Sequence, residues 1–119
     1  DPQLGEVLVA QNRLEDGLAE LEVAANLDNT NHELLLRIAT VLRGQGRNTK
    51  ALGFLDKALS LKSNLSRAEV MYGDILFEQG RYADARTHYQ KALAGDGVGL
   101  DRNHVQGRLQ QLENLAPQR

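Results

Sequence analysis

The 119 residues predict an all-α fold, a solenoid of stacked helix–turn–helix units with about seven helices. Three observations carry this expectation. A triplet recurs every 34 residues, as Gln11-Asn12-Arg13, Gln45-Gly46-Arg47 and Gln79-Gly80-Arg81. Apolar residues on either side of each triplet fall at helical spacing. Two prolines, Pro2 and Pro117, stand at the extreme ends, so nothing between them breaks a helix.

The same offset of 34 residues aligns further columns: Leu8, Leu42 and Leu76; Gly17, Ala51 and Ala85; Leu21, Leu55 and Tyr89; Ala24, Ala58 and Ala92. Upstream, Leu4-Gly5, Ile38-Ala39 and Tyr72-Gly73 fall in register as well. So many coincident columns mark an internal repeat. The expected organisation is three units (1–30, 31–64 and 65–97) making up residues 1–97. A linker and a C-terminal helix follow over 98–119.

Each unit reads as two helices. In the second, Leu34, Leu35, Ile38, Val41 and Leu42 form one stripe, and Ala51, Leu52, Leu55, Ala58 and Leu59 the next. Gly46 stands between them, where a left-handed residue ends a helix. Asn12 holds that place in the first unit, as the best substitute for glycine. Thr30-x-x-Glu33 and Ser66-x-x-Glu69 read as capping boxes, and Asp1-Pro2 as an N-cap and first helical position. Small residues (Gly5, Ala39 and Gly73 on the first helices; Gly17, Ala51 and Ala85 on the second) let the paired helices approach closely. Gly95-Asp96-Gly97-Val98-Gly99 is expected to be the least structured stretch. Residues 101–115 then form a last helix with one stripe of Val105, Leu109, Leu112 and Leu115, fit to cover the end of the stack or to open a truncated fourth unit.

These columns resemble the tetratricopeptide repeat. Tyr72-Gly73, Leu76, Gly80, Ala85, Tyr89 and Ala92 follow that family's pattern in the third unit. Ile38-Ala39, Leu42, Gly46, Ala51, Leu55 and Ala58 follow it in the second. The first unit is slightly degenerate. Glu69 stands where the pattern wants a large residue, and Asn29, Ser63 and Gly97 replace the proline between units. The resemblance covers about residues 1–97. It implies a right-handed α-solenoid and a non-catalytic scaffold for protein–protein interaction.

Composition agrees with a globular helical protein: 41% hydrophobic, 25% charged and only 4% aromatic. A net charge of -2 gives no cationic footprint for nucleic acid. Residues 1–28 hold seven acids against one base, Arg13, which reads as a solvated helix face. There is no cysteine, and no apolar run long enough to insert in a bilayer. The start at Asp1 without Met suggests a piece of a longer chain, and the compartment, cytoplasmic or periplasmic, stays open.

No catalytic, cofactor-binding or metal-binding residues are expected. His32, His88 and His104 lack partners at the spacing of a helical zinc site. Gly44-Gln45-Gly46-Arg47-Asn48-Thr49-Lys50 superficially suggests a phosphate loop, but Ala51 follows the lysine and helices flank it. Five aromatics are too few for stacking on RNA. Asn64-Leu65-Ser66 is a formal glycosylation sequon of a kind common by chance.

The resemblance implies that first helices line a concave groove that takes a peptide or a partner helix. The outward faces there carry Glu6, Val9 and Ala10; Glu33, Leu36, Arg37, Thr40 and Arg43; and Arg67, Val70, Met71, Asp74 and Phe77. Leu36, Val70, Met71 and Phe77 would be apolar anchors, because apolar residues on a face that packing does not use mark interaction surfaces. Arg37, Arg43 and Arg67 would pair with ligand carboxylates. The lysine and asparagine clamp that some relatives use for chaperone tails is missing: its positions hold Pro2, Glu6, Arg37, Arg67 and Met71. The partner is thus expected to be a protein or peptide. Self-association, assembly into a bacterial envelope, secretion or biogenesis complex, and service as the substrate-recruiting arm of an enzyme are the alternatives.

Overall fold

The computed structural model describes the backbone of residues 2–115 and the side chains of 3–6 and 10–115. Six helices make up these residues: α1 (Pro2–Leu27), α2 (His32–Gly44), α3 (Asn48–Leu61), α4 (Ser66–Glu78), α5 (Tyr82–Ala94) and α6 (Arg102–Leu115). No strand occurs among them. The molecule is 22 Å thick, the depth of two helix layers.

Two hairpins, α2–α3 and α4–α5, turn in the same way. Gly46 and Gly80 adopt φ of 75° and 77°. Arg47 N and Arg81 N then donate to Leu42 O and Leu76 O, each at 2.9 Å. Gly46 N and Gly80 N donate to Arg43 O and Phe77 O. This double hydrogen bond satisfies the last carbonyls of α2 and α4 and reverses the chain. It needs a left-handed residue, which glycine supplies without a Cβ penalty. The segment that imitates a phosphate loop is simply the first of these turns.

The first unit departs from expectation. Asn12 does not turn the chain, and α1 runs through it as one helix of 26 residues, so the described residues form six helices where about seven were expected. A left-handed non-glycine residue costs about 1–2 kcal/mol, whereas helical continuation keeps every i→i−4 bond. Gly5 and Gly17, expected at a helix crossing, have no neighbour near a would-be Cβ.

Caps also differ. Asn31, not Thr30, caps α2, its side chain accepting from Leu34 N at 3.1 Å. Thr30 instead donates its hydroxyl and its amide to Asp28 Oδ1, and the hydroxyl bond above all holds the Asp28 carboxyl below its ordinary value. Ser66 lies inside α4 and makes no cap. Its buried hydroxyl donates to Ala92 O and accepts from Gly97 N, both at 2.8 Å, clipping the start of α4 to the end of α5. The proposed cap at Asp1 lies outside the described residues.

The Gly95–Gly99 stretch is tied down rather than loose. Asp96 accepts from Lys62 Nζ (2.8 Å), Val98 N (3.0 Å) and Ser66 N (3.2 Å), and its own amide donates to Asn64 O (2.8 Å). The carboxylate thereby satisfies a free amide at the start of α4. The Lys62 hydrogen bond first, with the two amides, holds the Asp96 carboxyl down at about 2. Asp101 then caps α6 by accepting from His104 N at 3.1 Å.

The core is aliphatic and small-residue rich. Ala39, Ala51, Ala58, Ala68, Ala85 and Ala92 are wholly buried beside Leu42, Leu55 and Ile75. At the α4–α5 crossing the buried Tyr89 ring lies over Gly73, where an added Cβ would come within 2.9 Å of it. The ring hydroxyl donates to Asp74 Oδ1. Burial, reinforced by that carboxylate, pushes the Tyr89 hydroxyl far above its ordinary value, so it stays a neutral donor. His104 Nε2 of α6 lies 2.9 Å from the same oxygen, and Arg108 Nε 3.8 Å. Val105 and Leu112 of α6 are buried against this centre.

Three outcomes follow from this packing. Gly73→Ala should lose about 1–3 kcal/mol in urea unfolding, the usual cost of overpacking a tight crossing. Asp74→Ala should lose roughly 3 kcal/mol by orphaning a buried hydroxyl, and adding Tyr89→Phe should restore about 1 kcal/mol; no recovery would remove the hydrogen bond as the cause. Asp96 is more acidic folded (about 2) than unfolded (~3.9), so its contribution is complete above pH ~4 and is lost as pH falls through about 2. The stability gap between the parent chain and Asp96→Asn should close over that window, and a gap independent of pH would contradict the assignment.

Candidate functional site

The residues expected to line a groove divide into four groups. Val70, Asp74 and Phe77 lie under the terminal helix. Val70 and Phe77 are half-buried in the core shared with Leu100 and Leu109. The Arg108 guanidinium covers the Phe77 ring at 4.1 Å from its centroid, and Tyr82 meets its edge at 5.4 Å. Asp74 is buried as the acceptor of Tyr89 and the neighbour of His104. The helix after the last turn thus folds back over this end of the face.

Leu36 forms the second group. It is only 1% exposed and belongs to the core with Leu35 and Ile38. Its carbonyl accepts from the Thr40 hydroxyl at 2.8 Å. The third group lies on α1, where Glu6 is exposed and Val9 falls among the side chains outside the description. Arg37, also exposed, faces α1 across a cleft that Val41 shares.

The fourth group forms a concavity. Thr40 and Arg43 of α2 and Met71 of α4 line a cavity of about 480 Å³ with Gly44, Gly46, Asn48 and Glu78. Arg43 Nη2 reaches Glu78 Oε2 at 2.9 Å, tying α2 to α4. A second bridge about three turns nearer the start of both helices, Arg67 Nη1 to Glu33 Oε1 at 3.4 Å, repeats the tie. Arg43 and Arg67 are therefore already paired, and such exposed pairs contribute little to stability (about 0–1 kcal/mol). The Arg67 stem also runs over Gly99, where a Cβ would meet its Cδ at 2.6 Å.

Sequence reasoning missed Asn48. Its Oδ1 is buried and has no hydrogen-bonding partner among the described residues, and the residue lines the cavity. Buried polar atoms are nearly always paired, so this acceptor is an exception within the fold. Asn48 follows the turn triplet, where the third unit has Tyr82, and that difference was the available signal.

His88 and His104 pack against aromatic rings. His88 stacks on Tyr72 at 4.1 Å between centroids, and its Nδ1 lies 2.7 Å from the buried Glu69 Oε1. Desolvation first, then Asp56, raises the Tyr72 hydroxyl above its ordinary value. No group of three or more His, Cys, Asp or Glu side chains fit to hold a metal occurs among the described residues. No helix among them is long and apolar enough to cross a membrane.

The chain is 28% identical over 113 residues to the DnaJ homolog subfamily C member 3 of Rattus norvegicus, covering 95% of this chain and 22% of that protein. It thus spans well under half of that relative. Among solved structures, the P58(IPK) TPR domain superposes with a TM-score of 0.78 at 25% identity, covering 97% of this chain and 32% of the other. The Yersinia enterocolitica type III secretion chaperone SycD, in complex with a peptide of the translocator YopD, gives a TM-score of 0.81 at 14% identity. That match covers 96% of this chain and 90% of SycD, and at such identity it speaks to the fold alone. The family model for the tetratricopeptide repeat-like domain matches residues 3–114, and the chain belongs to that family.

Proposed function

We propose that the chain is a non-catalytic interaction module that binds a peptide segment of a partner protein in the cavity between α2 and α4. The carrying observation is the cavity itself, which opens between these two helices and is lined by Thr40, Arg43, Asn48, Met71 and Glu78. A peptide presents backbone N–H and C=O groups at every residue, which polar side chains around the cavity can pair. Met71 supplies an apolar contact there, and the Thr40 hydroxyl and the Arg43–Glu78 pair supply polar edges. SycD, which shares this fold, is in complex with a peptide of the translocator YopD, which supports a peptide as the class of ligand. Phe77 and Asp74 take no part in this reading, since α6 covers them.

An array of 15-residue peptides, followed by fluorescence polarisation on the strongest binders, tests the proposal. Asn48→Ala and Met71→Ala should each weaken binding about tenfold, equivalent to ~1.4 kcal/mol. Arg37→Ala, outside the cavity, should leave it unchanged. Binding that ignores Asn48 and Met71, or an array without any signal, would sink the proposal.

A further inference from the structure

Because α1 runs straight through Asn12, its first half stands away from the rest of the fold. Residues 3–6 and 10–17 are all exposed, with Leu4 at 57% and Leu14 at 45%. Beside the second half of α1 a cleft of about 500 Å³ opens toward α2. Leu18, Leu21 and Val41 line it next to Gly17, and Arg13 and Arg37 flank it.

The 34-residue register says what kind of element fits there. Leu21 shares a column with Tyr89, and Gly5 shares one with Gly73. In the α4–α5 hairpin these column-mates touch, the Tyr89 ring filling the space above Gly73. The element that meets Leu21 is therefore a helix with a Leu4-Gly5 pattern, which is the first half of α1. Within one chain it cannot arrive, because a continuous helix of 26 residues carries it away along its axis. A second copy faces no such constraint.

We infer that the cleft receives residues 2–11 of α1 from a second copy of this chain, reciprocally, so that two chains exchange their first helical segments. The exchange buries Leu4, exposed in the single chain, against Leu18 and Leu21. Charge agrees: the segment's one charged residue, Glu6, approaches a rim with Arg13 and Arg37 against a single acid, Glu20. Each copy uses the same two surfaces, which closes the assembly at a two-fold dimer. Asn12 is the hinge; straight, it presents the segment to a partner, and bent, it would fold the segment onto its own cleft. This surface is separate from the α2–α4 cavity, so either proposal can fail without the other.

The absence of cysteine makes a direct test simple. Chains carrying only Gly5→Cys and chains carrying only Leu21→Cys are mixed, unfolded, refolded together and oxidised. A disulfide joining the two kinds of chain is expected, along with a sedimenting mass twice that of one chain. Asn12→Gly, which allows the turn seen at Gly46 and Gly80, should return the mass to a single chain. A monomer at every concentration overturns the inference. So does a dimer without the mixed disulfide whose mass ignores Asn12→Gly. If Leu21→Cys impairs folding, sedimentation of the Asn12→Gly chain still decides, since an unchanged dimer contradicts the exchange.

Discussion

Tyr89 holds the C-terminal half of the molecule together. Its ring needs a partner helix without a side chain at one position, and Gly73 provides it. Its hydroxyl needs an acceptor once buried, and Asp74, the next residue, provides that. The two requirements fix the rotation and height of α5 on α4 together. The same carboxylate then takes His104 and stands near Arg108, which sets α6 across the end of the pair. An unpaired buried carboxylate would be costly, so these contacts also make Asp74 tolerable where it lies. One apolar ring with one polar atom thus orders three helices.

A second constraint acts at the turns. Two of the three 34-residue triplets hold glycine, and both reverse the chain with the same pair of hydrogen bonds. The third holds asparagine and stays helical. The difference is local and small, about the 1–2 kcal/mol that a Cβ costs in the left-handed region. Its consequence is large, because the first half of α1 loses its place in the core and Leu4 and Leu14 remain in solvent. Among the described side chains, α1 gives the first core cluster only Leu18 and Ala25 as buried members.

The site was less legible than the fold. Repeat columns report which residues pack, because packing recurs, but a binding face is defined by what is left uncovered. Val70 and Phe77 read as spare apolar residues, yet α6 covers them with Leu109 and Arg108. Asp74 read as a groove residue because the column gives no hint that a tyrosine from the next helix would donate its hydroxyl to that carboxylate. Arg43 and Arg67 read as free cations, and each pairs with an acid on the neighbouring first helix. Asn48 escaped notice because an unsatisfied acceptor is a property of its surroundings, not of its residue type.

By itself the sequence determined the helical class, the 34-residue period, the glycine turns at Gly46 and Gly80, and the alanine-lined crossings. All of these arise from local backbone preference or from a periodicity that any single helix displays. Tertiary structure alone decided that α1 is continuous, that Ser66 and Asp96 clip the loop between α5 and α6, and that α6 closes over Asp74 and Phe77. Those outcomes depend on competition: a turn against helix continuation, a cap against a hydroxyl bond to another helix. Spacing along the chain cannot weigh such alternatives, because the winning contact is set by which groups are buried together.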